Sequence, residues 1–170
     1  MRFALALLPL AVGFTLAACG SGGGYTSAGQ PVSAAAPAAA TKHAKVDTRR
    51  GALGTYLVDA KGRTLYLFEK DTGRKSTCSG ACATVWPPLT TKERPEAEGG
   101  AKASKLSTSR RADGTKQVVY NGHPLYRFAP DTKAGQTKGQ GVNGFGALWY
   151  VVSPSGKAIT ASGASAPSGY

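Results

Sequence analysis

Gly62-Arg63-Thr64-Leu65-Tyr66-Leu67-Phe68-Glu69-Lys70-Asp71 and Gly122-His123-Pro124-Leu125-Tyr126-Arg127-Phe128-Ala129-Pro130-Asp131 are two copies of one pattern, offset by 60 positions. Glycine, leucine, tyrosine, phenylalanine and aspartate coincide. In an extended strand Tyr66 and Phe68 point one way, as do Tyr126 and Phe128, while Leu65 and Leu125 point the other. The simplest use of the four rings is an interior with the tyrosine hydroxyls at its rim; a ligand-binding aromatic face is the functional rival. Arg127 predicts that the opposite face of the second copy reaches solvent.

The neighbouring residues turn these strands into hairpins. Tyr56-Leu57-Val58 precedes the first copy across Asp59-Ala60-Lys61-Gly62-Arg63, where Gly62 can supply a positive φ. Val118-Val119-Tyr120 precedes the second across Asn121-Gly122, a strong hairpin signal. Leu148 to Val152 and Ala158-Ile159 flank Ser153-Pro154-Ser155-Gly156 as a third. A weaker echo relates Tyr56–Arg63 to Tyr150–Lys157, so the last hairpin is expected to complete a pattern begun by the first. Three hairpins with little helical periodicity predict an all-β fold: a small antiparallel β domain, sandwich- or barrel-like, from two related hairpin units.

Outside this unit the composition changes. Met1 to Ala18 has one charge, Arg2, then an apolar run ending at Leu16-Ala17-Ala18-Cys19. The run is short for a bilayer span and contains Pro9 and Gly13, so it reads as an export leader over 1–18. Leu-Ala-Ala-Cys resembles the lipobox of bacterial lipoproteins, which implies lipidation of Cys19 and cleavage before it. Each buried lipid CH₂ contributes about 0.8 kcal/mol, enough for several chains to hold a soluble domain on a membrane. Residues 19–51, rich in Gly, Ser, Ala, Pro and Thr, are expected to form a flexible, lipid-anchored spacer. Residues 52–160 form the two-repeat domain, and 161–170 a flexible tail.

Asp71 and Asp131 each fall three residues after the phenylalanine, where the strand should turn. Stapling the turn through backbone N–H groups two or three residues on is the expected role, with metal binding as its rival. Cys78 and Cys82 lie four positions apart in a chain that leaves the cytosol, a spacing one helical turn brings within disulfide range. An oxidised pair would fix the turn that aims Trp86 at the sheet. The alternatives are thiol–disulfide exchange, or copper or zinc held by Cys78, Cys82 and His123. No cofactor is otherwise implied, and the chain carries no P-loop, nucleophile elbow, H-E-x-x-H or haem-attachment motif. No catalytic residue is therefore nominated.

With 21 Lys and Arg against 9 Asp and Glu, the formal charge is +12. Part of it clusters in Lys102, Lys105, Arg110, Arg111 and Lys116, after an acidic segment, Thr90 to Gly100, read as a flexible inter-repeat loop. Export argues against nucleic acid and towards anionic lipid heads or acidic wall polymers.

Tyr66-Leu67-Phe68-Glu69-Lys70-Asp71 and Tyr126-Arg127-Phe128-Ala129-Pro130-Asp131 resemble the Y-x-[FWY]-x-x-D motif of bacterial lipoproteins with a "secreted repeat of unknown function". Cys78 to Leu89 looks like that family's linker after the first repeat, and Gly139 to Gly144 with Leu148 to Val152 like the segment after the second. Gly144-Phe145-Gly146-Ala147 departs from the pattern by lengthening the last loop. The resemblance implies an exported protein of a family common in actinobacteria, often lipid-anchored at the outer face of the cytoplasmic membrane, with no assigned reaction. The expectation is a noncatalytic binding or structural role at the cell surface; the alternative is a small redox or metal-handling protein centred on Cys78 and Cys82.

Overall fold

The computed structural model describes residues 42–160. The leader, Cys19, the spacer as far as Thr41 and the tail from Ala161 lie outside the described residues. No helix among the described residues is long and apolar enough to cross a membrane.

Among the described residues nine short strands make three small sheets: β1 (Lys45–Gly51), β2 (Gly54–Asp59), β3 (Tyr66–Phe68), β4 (Glu96–Ala97), β5 (Leu106–Arg110), β6 (Lys116–Tyr120), β7 (His123–Pro124), β8 (Asn143–Gly144) and β9 (Ala147–Val151). Their orders are β2-β1-β4, β3-β9-β8 and β5-β6-β7. All pairings are antiparallel except the two-residue β1–β4 contact. One five-residue helix, α1 (Ala81–Val85), and a 3₁₀ turn at Ala103–Lys105 complete the described residues.

The spacer ends earlier than expected, because Lys45–Gly51 is a strand paired along its length with β2. The sequence signal is weak: Val46 is its only buried position, while Lys45 and Thr48 are half-buried and Arg49 and Arg50 exposed. Backbone pairing supplies what side-chain burial does not. The expected inter-repeat loop is likewise pinned. Glu93, Glu96 and Glu98 donate their amides to the carbonyls of Lys42, Ala44 and Val46, at 3.0, 2.9 and 2.8 Å.

The three expected turns are present. Gly62 has φ 71°, Gly156 has φ 83°, and Asn121 and Gly122 have φ 49° and 90°. With Tyr120 opposite His123, the last pair forms a type I′ turn. The same turn recurs at Phe145-Gly146, φ 59° and 90°, between β8 and β9. There a bulky ring occupies the left-handed position that asparagine fills in the other turn, and the ring is exposed. For an L-residue that conformation costs about 1–2 kcal/mol, less for asparagine. Phe145→Asn is therefore expected to raise stability by about 0.5–1 kcal/mol, read as an upward shift of the urea midpoint with unchanged slope.

Alternation along the strands divides the interior in two. Tyr56, Val58, Tyr66, Phe68, Tyr126, Phe128, Trp86 and Trp149 enter one cluster with the two cysteines; Leu57, Leu65, Leu67, Leu89, Leu125, Val118 and Val152 enter the other. The strands are a partition buried on both faces. Each repeat closes by a ring of three backbone bonds. Leu57 donates to Val152, Val152 to Leu65 and Leu65 to Leu57, at 2.8, 3.1 and 3.0 Å; Val118 donates to Leu89, Leu89 to Leu125 and Leu125 to Val118, at 2.8, 2.9 and 3.0 Å. Leu89 follows Trp86 by three residues, and Val152 follows Trp149 by three. The segment ending the first repeat thus completes the second, and the segment ending the second completes the first. The last hairpin does join the first, through Leu57 and Val152, but the partner of Leu57 by symmetry is Val118, not a residue of the Tyr150–Lys157 echo.

Candidate functional site

The six motif residues converge where the repeats meet. Tyr66 and Tyr126 exchange both backbone hydrogen bonds, at 2.9 and 3.0 Å, so the motif strands cross at their tyrosines. From that crossing the side chains reach into the opposite repeat. The Tyr66 hydroxyl donates to Asp131 Oδ2 and the Tyr126 hydroxyl to Asp71 Oδ2, both at 2.5 Å. The other oxygen of each aspartate holds its own loop: Asp71 Oδ1 accepts the Thr77 N–H and hydroxyl at 2.7 Å each, and Asp131 Oδ1 accepts the Lys138 N–H at 3.0 Å. Stapling is thus present, but over six or seven residues rather than two or three, and it is half of the role. The cross-repeat half joins residues 55 and 65 positions apart, for which the sequence offers no local signal.

The rings repeat this exchange. Phe68 stacks on Trp149 at 4.0 Å, Trp149 on Trp86 at 3.9 Å, and Trp86 on Phe128 at 4.2 Å, a four-ring column through the crossing. Tyr66 meets Trp86 and Tyr126 meets Trp149 edge-on, at 5.4 and 5.1 Å. Each phenylalanine therefore stacks on the other repeat's tryptophan, and each tyrosine abuts its own. All six rings are buried, so the aromatics are interior rather than a recognition face. Gly139 closes one end: a Cβ there would lie 2.7 Å from the Trp86 ring and 2.9 Å from Tyr66, leaving room for no side chain.

Burial, reinforced by the charge and hydrogen bond of Asp131, pushes the Tyr66 phenol well above its ordinary value; burial and Asp71 do the same to Tyr126. Both stay protonated and serve as fixed donors. Burial also raises Asp131, against the bonds from Tyr66 and Lys138. This pairing predicts a coupling pattern. Tyr126→Phe should cost about 1–2 kcal/mol, and its combination with Asp71→Ala should be non-additive by about 1 kcal/mol. Tyr126→Phe with Asp131→Ala, a same-repeat combination, should add. Urea unfolding of the single and double variants reads both cycles.

Cys78 and Cys82 form a disulfide with Cα atoms 5.3 Å apart. Cys78 precedes α1 and Cys82 lies in its first turn. The Cys82 carbonyl accepts the Trp86 N–H at 2.8 Å, so the pair does set the exit that carries Trp86 into the column. A second anchor escapes the sequence reading. Arg111, counted there with the surface charge, is buried, and donates to Ser76 Oγ at 2.8 Å, Gln117 Oε1 at 2.7 Å and the Cys78 carbonyl at 2.7 Å. Ser76 Oγ also lies 2.7 Å from the Tyr126 hydroxyl. Arg111 thus ties the disulfide loop to the crossing.

Arg127 is also not where the alternation put it. Its side chain is 14 % exposed, and its Nε donates to Asp59 Oδ2 at 2.8 Å. Arg63 grips the same oxygen at 2.9 and 2.7 Å, while Asp59 Oδ1 accepts the N–H groups of Lys61 and Arg63. Burial pushes Asp59 up, but the Arg63 hydrogen bonds and the Arg127 charge outweigh it and hold the carboxyl below its usual range. Burial beside Arg63 lowers Arg127, against the pull of Asp59.

The metal alternative finds no assembled ligand set. Both cysteine sulfurs are spent on each other, and among the described residues no three His, Cys, Asp or Glu side chains are grouped to hold an ion, so His123 is not brought to the cysteines. Chemically, the assembly where the motifs meet is a closed clasp: its polar groups are paired and its rings packed.

The family model described as "Secreted repeat of unknown function" matches twice, at residues 47–90 and 107–153. Each match runs from the repeat's leading strand through its tryptophan and the segment it lends to the other repeat. Comparison with curated proteins and with solved structures gives no match.

Proposed function

The chain belongs to the family of secreted repeats of unknown function, and from that footing we propose that it is a lipid-anchored, noncatalytic binding or structural module of the cell envelope. The carrying observation is that the motif side chains are all turned inward: Tyr66, Phe68, Asp71, Tyr126, Phe128 and Asp131 are buried, and each polar one is held by a hydrogen-bond partner. A motif used in this way supports a rigid scaffold whose outer surface does the work. The anchor is Cys19, by the resemblance of Leu16-Ala17-Ala18-Cys19 to a lipobox. That surface is basic, since 20 of the 21 Lys and Arg and all 9 Asp and Glu lie within residues 42–160, which favours anionic partners such as lipid heads or acidic wall polymers.

Cell fractionation of Cys19→Ala tests the anchor. The variant is expected in the soluble or unprocessed pool, and unchanged processing with full membrane retention overturns the lipidation. The disulfide supports structure over thiol chemistry, because Cys78 and Cys82 are 2 % and 6 % exposed. Mass spectrometry after mild reductant should find the pair still oxidised and free of metal; ready cycling or stoichiometric metal would instead favour the redox or metal-handling reading.

A further inference from the structure

Two open grooves meet along β5. One, of about 570 Å³, is lined by Arg74, Lys102, Ser104 and Lys105; the other, of about 280 Å³, by Arg94, Lys116 and Glu93; Leu106 and Ser107 line both. The five cations come from separate parts of the chain. Arg74 sits in the loop held by Asp71, Arg94 before β4, Lys102 and Lys105 about the 3₁₀ turn, and Lys116 at the start of β6.

Elsewhere some cations are paired, Lys45 with Glu98, Lys42 and His43 with Glu93 and, below the surface, Arg63 and Arg127 with Asp59, while others among the described residues, such as Arg49, Lys61 and Lys133, stand apart from any carboxylate. What marks β5 is the gathering of five cations on two adjoining grooves. Among the described residues none of the five groove cations stands within ion-pair distance of a carboxylate. Their side-chain hydrogen bonds go to neutral acceptors: Lys105 Nζ to Asn121 Oδ1 at 2.9 Å, Arg74 Nη2 to the Thr108 carbonyl at 3.3 Å, and Lys116 Nζ to the Lys92 carbonyl at 3.4 Å. Glu93, the carboxylate in the lining, is engaged by His43 at 2.8 Å. Clustered like charges repel and destabilise the folded state, so fold stability does not account for this arrangement.

Shape and backbone narrow the ligand. A five-residue strand is about 17 Å long, so the two grooves together suit an extended molecule rather than one small anion. Addition of a peptide strand is disfavoured. The bonds Asn121 N–H to Lys105 O and Arg111 N–H to Thr115 O fix the pairing phase, so that Leu106 and Thr108 present their backbone groups to the outer edge of β5. There the Leu106 N–H is already bonded to the Ala103 carbonyl, and the Thr108 carbonyl to Arg74. Recognition falls to the cations and to the hydroxyls of Ser104 and Ser107, a donor set for oxyanions.

From these features we infer that the paired grooves along β5 bind a linear, non-peptide polyanion carrying phosphate or carboxylate groups along its length. The inference rests on the extracytoplasmic binding role proposed above and gives that role a place on the molecule.

The test uses purified full-length protein in detergent, with fluorescent long-chain polyphosphate, polygalacturonate and poly-glutamate as probes. Lys102→Glu with Lys105→Glu is compared with Lys133→Glu with Lys157→Glu, an equal charge change at exposed lysines lining neither groove. Thermal melts confirm that both variants fold. The groove variant should bind polyphosphate or polygalacturonate at least about tenfold more weakly than wild type, the control within about threefold, and added salt should weaken wild-type binding. Whichever polymer wild type prefers identifies phosphate or carboxylate as the recognised group, and either supports the inference. Equal losses in both variants overturn the groove while leaving a generally basic surface; so do absence of binding by both polymers and tighter binding of poly-glutamate than of either. Fractionation of Cys19→Ala reports separately on the anchored role.

Discussion

Trp149→Ala is expected to lower the unfolding free energy by about 3–5 kcal/mol, a large part of the total for a domain of this size. The ring is fully buried, stacked on Phe68 at 4.0 Å and on Trp86 at 3.9 Å, with Tyr126 meeting it edge-on at 5.1 Å. Its indole N–H also donates to the Gly144 carbonyl at 3.1 Å, so truncation orphans that acceptor as well as opening a void. Repacking recovers little, because the neighbouring rings are held in place by the crossing of the motif strands. Circular dichroism through a urea titration provides the measurement, since the substitution alters the fluorescence. A loss under about 1 kcal/mol would mean that the ring column does not hold the repeats together. Phe145→Ala, at an exposed ring, is the matched control and should move the midpoint little.

Asp59→Ala is expected to cost a comparable amount, about 3–5 kcal/mol, for an electrostatic reason. Removing this carboxylate leaves the mostly buried Arg127 without its counter-charge and cuts the bonds that close the Asp59–Arg63 turn. The effect carries a pH signature whose sign can be worked out. The folded-state pKa of Asp59 is depressed, so its contribution is complete above the unfolded value of about 4 and is lost as pH falls through the lower folded value. Asp131 has the opposite sense: its raised folded pKa makes the folded state bind a proton first, so its ionisation opposes folding as pH rises through the interval. The wild-type protein should lose stability below about pH 4, and the penalty of Asp59→Asn should shrink steadily from about pH 5 to 2. A penalty constant across that range would show that the carboxylate does not act through its charge.

What could be read in the chain followed from local rules. The Tyr66/Phe68 and Tyr126/Phe128 alternation put the rings on one side and Leu65 and Leu125 on the other, and the two halves of the interior divide that way. Asn121-Gly122 announced its turn, and Cys78 and Cys82 their bridge. What could not be read was the pairing of distant segments. Nothing near Asp71 marks Tyr126 as its donor, and nothing near Asp59 marks Arg127. β1 was missed because only Val46 within it is buried, which leaves no hydrophobic alternation to detect. The β5 grooves draw their cations from four separated stretches, so the sequence showed the excess charge without its arrangement.

The reciprocal loan of Trp86–Leu89 and Trp149–Val152 has a consequence for where such a protein can operate. Geometrically the domain is a twofold pair of subunits that happen to share one chain, each unfinished without its mate. Fusion replaces a bimolecular encounter with a tethered one, at an effective concentration of roughly millimolar for a short connection. A pair of separate halves would fall apart on dilution; this one keeps its mate however sparse the molecule becomes, which suits a protein released or displayed into open surroundings.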